Sequence, residues 1–376
     1  MRLLDRYLLR ELLIPLGYCL SGFVLLIIFF DLFAQLNHFQ SIKLRAGDIA
    51  EYYLVSLPST LALVLPMALL LALLYTLTNH ARHHELTAIR AAGISLWRLC
   101  VPYFAVGALS SVVLFVLNEA VVPDSTESGE KIMARRVPRP PGSPGPNQVR
   151  NLGFDNSGEG RRWQIGLYNT ETGEMSGINI RWTLRDGSSR WLQAQHGVRS
   201  NGVWMFHNVL EFKEEPGTNS LLAPSLRTNA MAFPEFTETP DEIKSEIKLA
   251  SSFALPTKGL NQSDIPISEL LNYLHFHPHP PAAEARRLYT KLHERLAAPW
   301  TCLVVVLIAV PFGAGSGRRN VFVGVASSVL ICVTFYILRE LCVWLATVGW
   351  LSPWMGAWLP NCAFGTVGMW MTARVR

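Results

Sequence analysis

Charge is scarce in this chain. Of its 376 residues only 16% are Asp, Glu, Lys or Arg and 50% are apolar, whereas an ordinary soluble domain carries about 25% charged residues. That balance excludes a disordered, collagen-like or wholly soluble protein. Cysteine is missing from a long interval. Cys19, Cys100, Cys302, Cys332, Cys342 and Cys362 all lie in or beside apolar runs, so no disulfide framework can staple the middle of the chain. Small apolar side chains packed between helices are the ordinary role for such thiols. Nucleotide signatures are missing too. Nothing matches the G-x-x-x-x-G-K-[ST] phosphate loop, since the glycines of 313–317 run into Arg318 and Arg319, and the chain is not expected to bind or hydrolyse ATP itself. The net charge of +5 is no sign of a nucleic-acid partner, because the basic residues flank the apolar runs. Membrane topology accounts for them.

What is present is a set of stretches without acids or strong bases, each long enough for the roughly 20 helical residues that cross a hydrocarbon core of about 30 Å. Residues 12–30, 52–81 and 99–118 supply three in the first third; 296–317, 320–338 and 341–373 supply three at the end. Pro353, with Trp350, Trp354 and Trp358, marks the turn between the last two, since tryptophan favours the membrane interface. Basic residues of short loops stay on the cytoplasmic side. Arg2, Arg6, Arg10, Arg82, Arg90, Arg98, Arg318, Arg319, Arg374 and Arg376 fall on one side, and only Lys43 and Arg45 in the opposite short loops. Both termini are therefore expected inside and the 119–295 interval outside. The first span has a basic start but no small-residue cleavage pattern after it, and reads as an anchor that is kept.

The outside interval opens on Pro138 to Pro146, a proline-rich run that cannot continue a helix. Beyond it, Trp163, Ile165 and Leu167 alternate with Gln164 and Gly166, and Ile178, Ile180 and Trp182 alternate with Asn179 and Arg181. Period two means half-buried strands. Trp191 to Val198 and Val203 to Phe212, joined through Ser200-Asn201-Gly202, read as a hairpin. Strands at this spacing point to an antiparallel sandwich or jelly roll. After residue 264, Ile267, Leu270, Leu271 and Leu274 recur at helical spacing, and Ala282 to Leu296 reads as a helix leading into the fourth span. The expected organisation is 1–122 with three transmembrane helices and a cytoplasmic loop at 79–98, 123–281 as an all-β domain with a short helical tail, and 282–376 with three more helices. Such an inserted domain suits a device that responds to movement of the spans, or a tethered binding module.

Several polar clusters carry two readings each. His80, His83, His84 and Glu85 put two imidazoles at i and i+4, a metal-ligand spacing, but not in the H-E-x-x-H order; a solvated basic loop fits as well. His275, His277 and His279 form a His-rich tract or a polar connector. Arg339 and Glu340 stand at the expected outer end of span five, adjacent on a helix and so poor partners for each other; they snorkel at an interface or mark a relay. Asp31 invites the same comparison at the end of span one. Lys43 and Arg45 either greet an anionic headgroup or are simply solvated.

The loop between spans two and three is the most informative segment: Glu85-Leu86-Thr87-Ala88-Ile89-Arg90-Ala91-Ala92-Gly93-Ile94-Ser95. Leu86, Ile89 and Leu96 can share a helical stripe, Ala88, Ala91, Ala92 and Gly93 leave a slim surface, and Gly93 suits a helix end. A short surface helix of this kind either receives force from a soluble partner or is a packed connector.

These residues bring a family into view. Leu65-Pro66-Met67-Ala68-Leu69-Leu70-Leu71-Ala72-Leu73-Leu74 followed by Glu85 to Ser95, the opening Leu4-Asp5-Arg6-Tyr7, Pro299-Trp300 and Ile308-Ala309-Val310-Pro311-Phe312-Gly313 closely resemble the lipopolysaccharide-export permeases, the LptF/LptG (YjgP/YjgQ) family, over nearly the whole chain. The resemblance implies a bacterial inner-membrane subunit that pairs with a second permease of the family, binds a dimer of a cytoplasmic ABC ATPase that carries the ATP, and passes lipopolysaccharide through a periplasmic β-jellyroll to a bridge protein. It makes Glu85, Leu86, Ala88, Ile89, Arg90, Ala91, Ala92, Gly93, Ile94 and Ser95 the ATPase-coupling helix. It places the outer end of span one near the lipid headgroup, with Asp31, His38, Lys43 and Arg45 as contacts. Members of the LptG type often carry lysines at that end, where this chain has Asp31, Asn37 and His38; Trp358-Leu359-Pro360-Asn361 leans toward the LptG type all the same. The rivals are a permease for another lipid or a lipoprotein, and a membrane-anchored scaffold that transports nothing; no span shows the nucleophile and base of an intramembrane enzyme.

Overall fold

A computed structural model describes residues 3–135, 145, 147–156, 158–183, 188–200, 202–214, 224–254, 265–277, 280–314 and 321–374. The chain divides into two units, Met1–Val137 with Ala282–Arg376, and Pro138–Pro281. The boundary falls at 137/138 rather than 122/123, because a helix carries the chain on past the third apolar run.

In the first unit, α1 (Leu3–Ser41) and α2 (Ala46–Arg82) form a hairpin of helices with 39 and 37 residues. At 1.5 Å per residue each is about 55–60 Å long, well beyond the hydrocarbon thickness. Tyr53 reaches Asp31 and Thr76 reaches Glu11, so numbers rise on α2 as they fall on α1 and the pair is antiparallel. After the short α3 (Glu85–Ala91) come α4 (Leu96–Val116), a π-helical turn at Leu117–Val121 and α5 (Val122–Ala134). A π turn frees a carbonyl from the regular ladder; here Asn118 O accepts a 2.7 Å hydrogen bond from Arg295 Nη1. That arginine belongs to α8 (Ala282–Ala297), which meets α9 (Trp300–Ala314) at a 53° bend. Pro299 sits at the break, where a helix would otherwise need its missing N–H. The unit ends with α10 (Val321–Val348) and α11 (Pro353–Arg374).

Among the described residues, four helices are long and apolar enough to cross a membrane, and five if α8 with α9 counts as one bent span. The sixth expected span corresponds to α11, which is 22 residues long but less apolar than these. Two expectations near the chain's end are corrected. Span five does not stop at 338: α10 runs to Val348, so Arg339 and Glu340 lie within it rather than at its end. They also pair with each other at 3.1 Å, while the same guanidinium binds Glu294 of α8. The long arginine side chain reaches along the helix surface where two short adjacent side chains would diverge. The helices pack on a leucine-rich core that includes Leu8, Leu12, Leu69, Leu70 and Leu73, and small residues allow close backbone approach at particular crossings. A Cβ on Gly368 of α11 would stand 2.9 Å from the carbonyl carbon and oxygen of Leu307 on α9.

The second unit is a six-stranded antiparallel sheet: β1 (Gln148–Asn156), β2 (Arg161–Asn169), β3 (Met175–Thr183), β4 (Ser189–Ser200), β5 (Val203–Glu214) and β6 (Leu226–Phe233), each paired with the next. Among the described residues this is a meander in one sheet, and the Greek-key connections that define a jelly roll are not there. Consecutive hairpins explain the order, since every described connection is too short for a crossover. The expected alternation holds: Trp163 faces Ile180 and Ile165 faces Ile178 across β2 and β3, all buried. The expected hairpin closes with Ser200 opposite Val203; Asn201 and most of the expected proline-rich loop lie outside the described residues. Trp163, Trp204, Phe206, Phe233 and Phe236 fill one face. Beneath them Glu238 is fully buried and accepts from Asn156 Nδ2 at 2.9 Å and Trp163 Nε1 at 3.1 Å, with Arg161 Nε 3.0 Å away. A buried carboxylate needs such partners. Two helices follow, α6 (Pro240–Ala254) and α7 (Ile267–Phe276), joined by Lys248 and Glu269 at 2.7 Å.

Candidate functional site

Helix α3 has seven residues, too few to be stable alone, and is held at both ends. At its start His84 adopts a left-handed conformation with φ 57°, which breaks α2 from α3. At its end Gly93 N–H donates to Arg90 O at 3.0 Å and Ile94 N–H to Ile89 O at 3.3 Å, the paired bonds of a Schellman cap, with Gly93 at φ +83°. Ser95 then starts α4, its hydroxyl accepting from Arg98 N–H at 3.3 Å. Gly93-Ile94-Ser95 is thus a stop signal followed directly by a start signal. Leu86 is buried and Ile89 packs on the same core as Leu8, Leu73 and Leu77. The side chain of Leu96, the third member of the expected stripe, lies outside the described residues. On the opposite side Ala88, Arg90, Ala91, Ala92 and Gly93 are exposed. The result is an apolar-anchored helix with an accessible small-residue face and one cation.

Glu85, in the first turn, is engaged on one oxygen by two groups that spacing did not identify. His80 Nδ1 donates to Oε2 at 2.6 Å and Tyr7 O–H donates to the same oxygen at 3.1 Å. Asp5 and Arg98 pair nearby at 3.0 Å, joining α1 to α4. The residues from the opening Leu4-Asp5-Arg6-Tyr7 motif lie far from the loop in sequence, so no periodicity could have placed them here. His80, read with His83 and His84 as a metal spacing, is buried against Glu85 instead; His83 Nδ1 donates to Asn79 O at 2.9 Å. His277 stacks on Tyr273 at 4.3 Å and sits 3.4 Å from Glu246, while His279 lies outside the described residues. Among the described residues no three His, Cys, Asp or Glu side chains gather as metal ligands.

At the far end of the α1–α2 hairpin, the four expected headgroup residues separate. Asp31 accepts from Gln35 Nε2 at 2.7 Å and from Tyr53 O–H at 2.9 Å, and is used within the hairpin. His38 closes α1 and is exposed. Lys43 takes a left-handed conformation in the turn, and both Lys43 and Arg45 are exposed. Arg45 N–H donates to Asp48 Oδ2 at 3.2 Å, capping α2. Arg135, just after α5, forms a two-pronged pair with Glu51 at 2.9 and 3.1 Å, which sequence reasoning missed.

Long apolar helices in two sets, a sheet domain inserted between them, and a short helix with an open small-residue face define a multi-pass membrane subunit. The chain matches the family model of the lipopolysaccharide export system permease LptF/LptG over residues 6–374, and it belongs to that family. No curated protein matches it.

Proposed function

We propose that this chain is a permease subunit of an ATP-driven transporter that extracts lipopolysaccharide from the inner membrane of a bacterium and passes it to a periplasmic bridge. The observation that carries the reading is α3, anchored by Leu86 and Ile89 and open along Ala88, Ala91, Ala92 and Gly93. A surface of small side chains lets another protein approach the backbone closely. In this reading Glu85 to Ser95 docks in a groove of a cytoplasmic ABC ATPase, which binds and hydrolyses the ATP; a second LptF/LptG-type permease completes the pair. The termini and α3 then face the cytoplasm, and the sheet domain stands in the periplasm as the part that receives the lipid. Closure of the ATPase dimer pushes on α3 and narrows an apolar cavity between the two permeases. Most of the affinity for lipid comes from burial of its acyl chains. Lys43 and Arg45, exposed in the α1–α2 turn, contact headgroup phosphate by charge, with His38 beside them and Asp31 holding the hairpin in shape.

The test is purification of the tagged protein from its native membrane in mild detergent, with partners identified by mass spectrometry. Recovery of an ABC ATPase and a second permease, with the ATPase lost on Gly93→Val, supports the reading. Recovery of the chain alone, in detergent that preserves a known transporter complex, points to the anchored scaffold. An ATPase complex that traps a different lipid or a lipoprotein leaves the permease and changes its cargo.

A further inference from the structure

Three helices converge on the first turn of α3. Tyr7 comes from α1, His80 from α2, and the Asp5–Arg98 pair ties α1 to α4 at the same level. The chain itself joins α3 only to α2 and α4, so the contact with Tyr7 is a link to α1 that connectivity does not provide. His80 is buried and its ring lies 5.8 Å from that of Tyr7. Both donors end on Oε2 of Glu85, whose side chain is about one-third exposed. A carboxylate held by two donors on one oxygen has few rotamers left, and its backbone moves with its holders. Hydrogen bonds to a charged group are also the stronger kind.

We propose that Tyr7 and His80 are positioning residues that clamp Glu85, so that movement of α3 is handed to α1 and α2 together. The inference rests on the coupling reading and names the residues through which force enters the membrane helices. Helix α1 then carries the displacement toward the Asp31 end of the hairpin, since helices transmit axial movement as rigid rods. A clamp of this kind governs how much lipid moves per ATP; the docking surface on Ala88 to Gly93 governs whether the ATPase binds at all.

The test uses the complete complex in proteoliposomes loaded with lipopolysaccharide and compares Tyr7→Phe, His80→Ala and His80→Asn with the unaltered protein. Bound ATPase, ATP turnover and lipid extracted are measured separately. The clamp predicts that bound ATPase stays within about twofold while lipid extracted per ATP falls about tenfold in His80→Ala, near the low end for losing a charge-assisted hydrogen bond, and about threefold in Tyr7→Phe, whose 3.1 Å bond is the longer and weaker of the two. His80→Asn restores extraction to within about twofold, because the asparagine amide nitrogen reaches the place of Nδ1 as a donor. Unchanged extraction per ATP in His80→Ala and Tyr7→Phe overturns the clamp. So does a loss of bound ATPase large enough to account for all the lost extraction, or an Asn variant no better than Ala. If the unaltered protein captures no ATPase, the permease reading itself falls, and this inference with it.

Discussion

In the sheet unit the largest side chains are the deepest. Trp163, Trp204 and Phe206 are fully buried, and charged residues such as Arg162 and Arg181 face outward. In the helical unit large apolar side chains stand on both sides of the packing. Leu8, Leu12, Leu69, Leu73 and Tyr103 fill its core together with Ala68, Ala72 and Ala309, while Phe29, Phe30, Leu109, Leu330 and Trp344 are exposed. One chain follows two rules because it meets two solvents. Against water, burying an aromatic ring is the main gain available; against lipid the same ring gains nothing by leaving the surface, so large apolar side chains stay there.

The largest expected break in that contrast comes from truncating the sheet core. Trp163 stacks on Phe154, meets Phe236 edge-on and donates to buried Glu238. Trp163→Ala removes the ring and leaves that carboxylate short of a donor, so we expect a loss of about 3–5 kcal/mol in this unit. Hydrogen exchange on the intact protein in detergent measures it: amides of β2 and β3 lose protection, while those of α2 and α9 keep theirs. Loss of protection in both units together would mean that they fold as one, and the contrast would fail.

A smaller effect sharpens the comparison by placing one substitution in each surface. Leu109 is exposed near the middle of α4, and Gln164 is exposed on β2. Leu109→Asp is expected to cost about 3 kcal/mol, the scale for a carboxylate at the centre of a membrane helix. Gln164→Asp is expected to change stability by about 0.5 kcal/mol or less, as at an ordinary wet surface. Thermal melts in nanodiscs, with the yield in the membrane fraction, separate the two. Equal, small effects would show that α4 meets water at Leu109.

The same contrast governs what could be read from the residues alone. The long helices were legible because 52–81 and 99–118 have no charge to interrupt them, and the strands because Trp163, Ile165, Ile178 and Ile180 keep period two. Helix α3 was legible from Gly93 and its small residues, since caps are local. The partners were not. Glu85 finds Tyr7 from 78 residues away, Glu238 finds Asn156 from 82 and Arg295 finds Asn118 from 177, and a pairing that depends on which faces of distant elements meet leaves no periodic trace. Pattern reading also ended span five at Arg339, because a charge inside an apolar helix looks like its end until its partner, here Glu294, is known.

The weakest effect concerns a group on the watery side of the comparison. Tyr168 is buried in the sheet core, its hydroxyl donating to Pro240 O at 3.3 Å. Burial pushes its phenol from 10.0 up to about 12, and the charge of Asp241 adds to the rise. The folded state therefore holds this proton more tightly than the unfolded chain does. Its contribution to stability is fully present below pH 10 and is lost as the pH rises toward 12, with a slope of at most one proton. The absolute curve sums many ionisations, so the difference from Tyr168→Phe is what counts. The variant gives up the hydrogen bond to Pro240 and starts slightly less stable at pH 8; between pH 10 and 12 its stability should fall less steeply than that of the unaltered protein, and the two curves should converge. Parallel curves across that range would mean that Tyr168 reaches water when it ionises, and that the core at the β2 end is wetter than its packing implies.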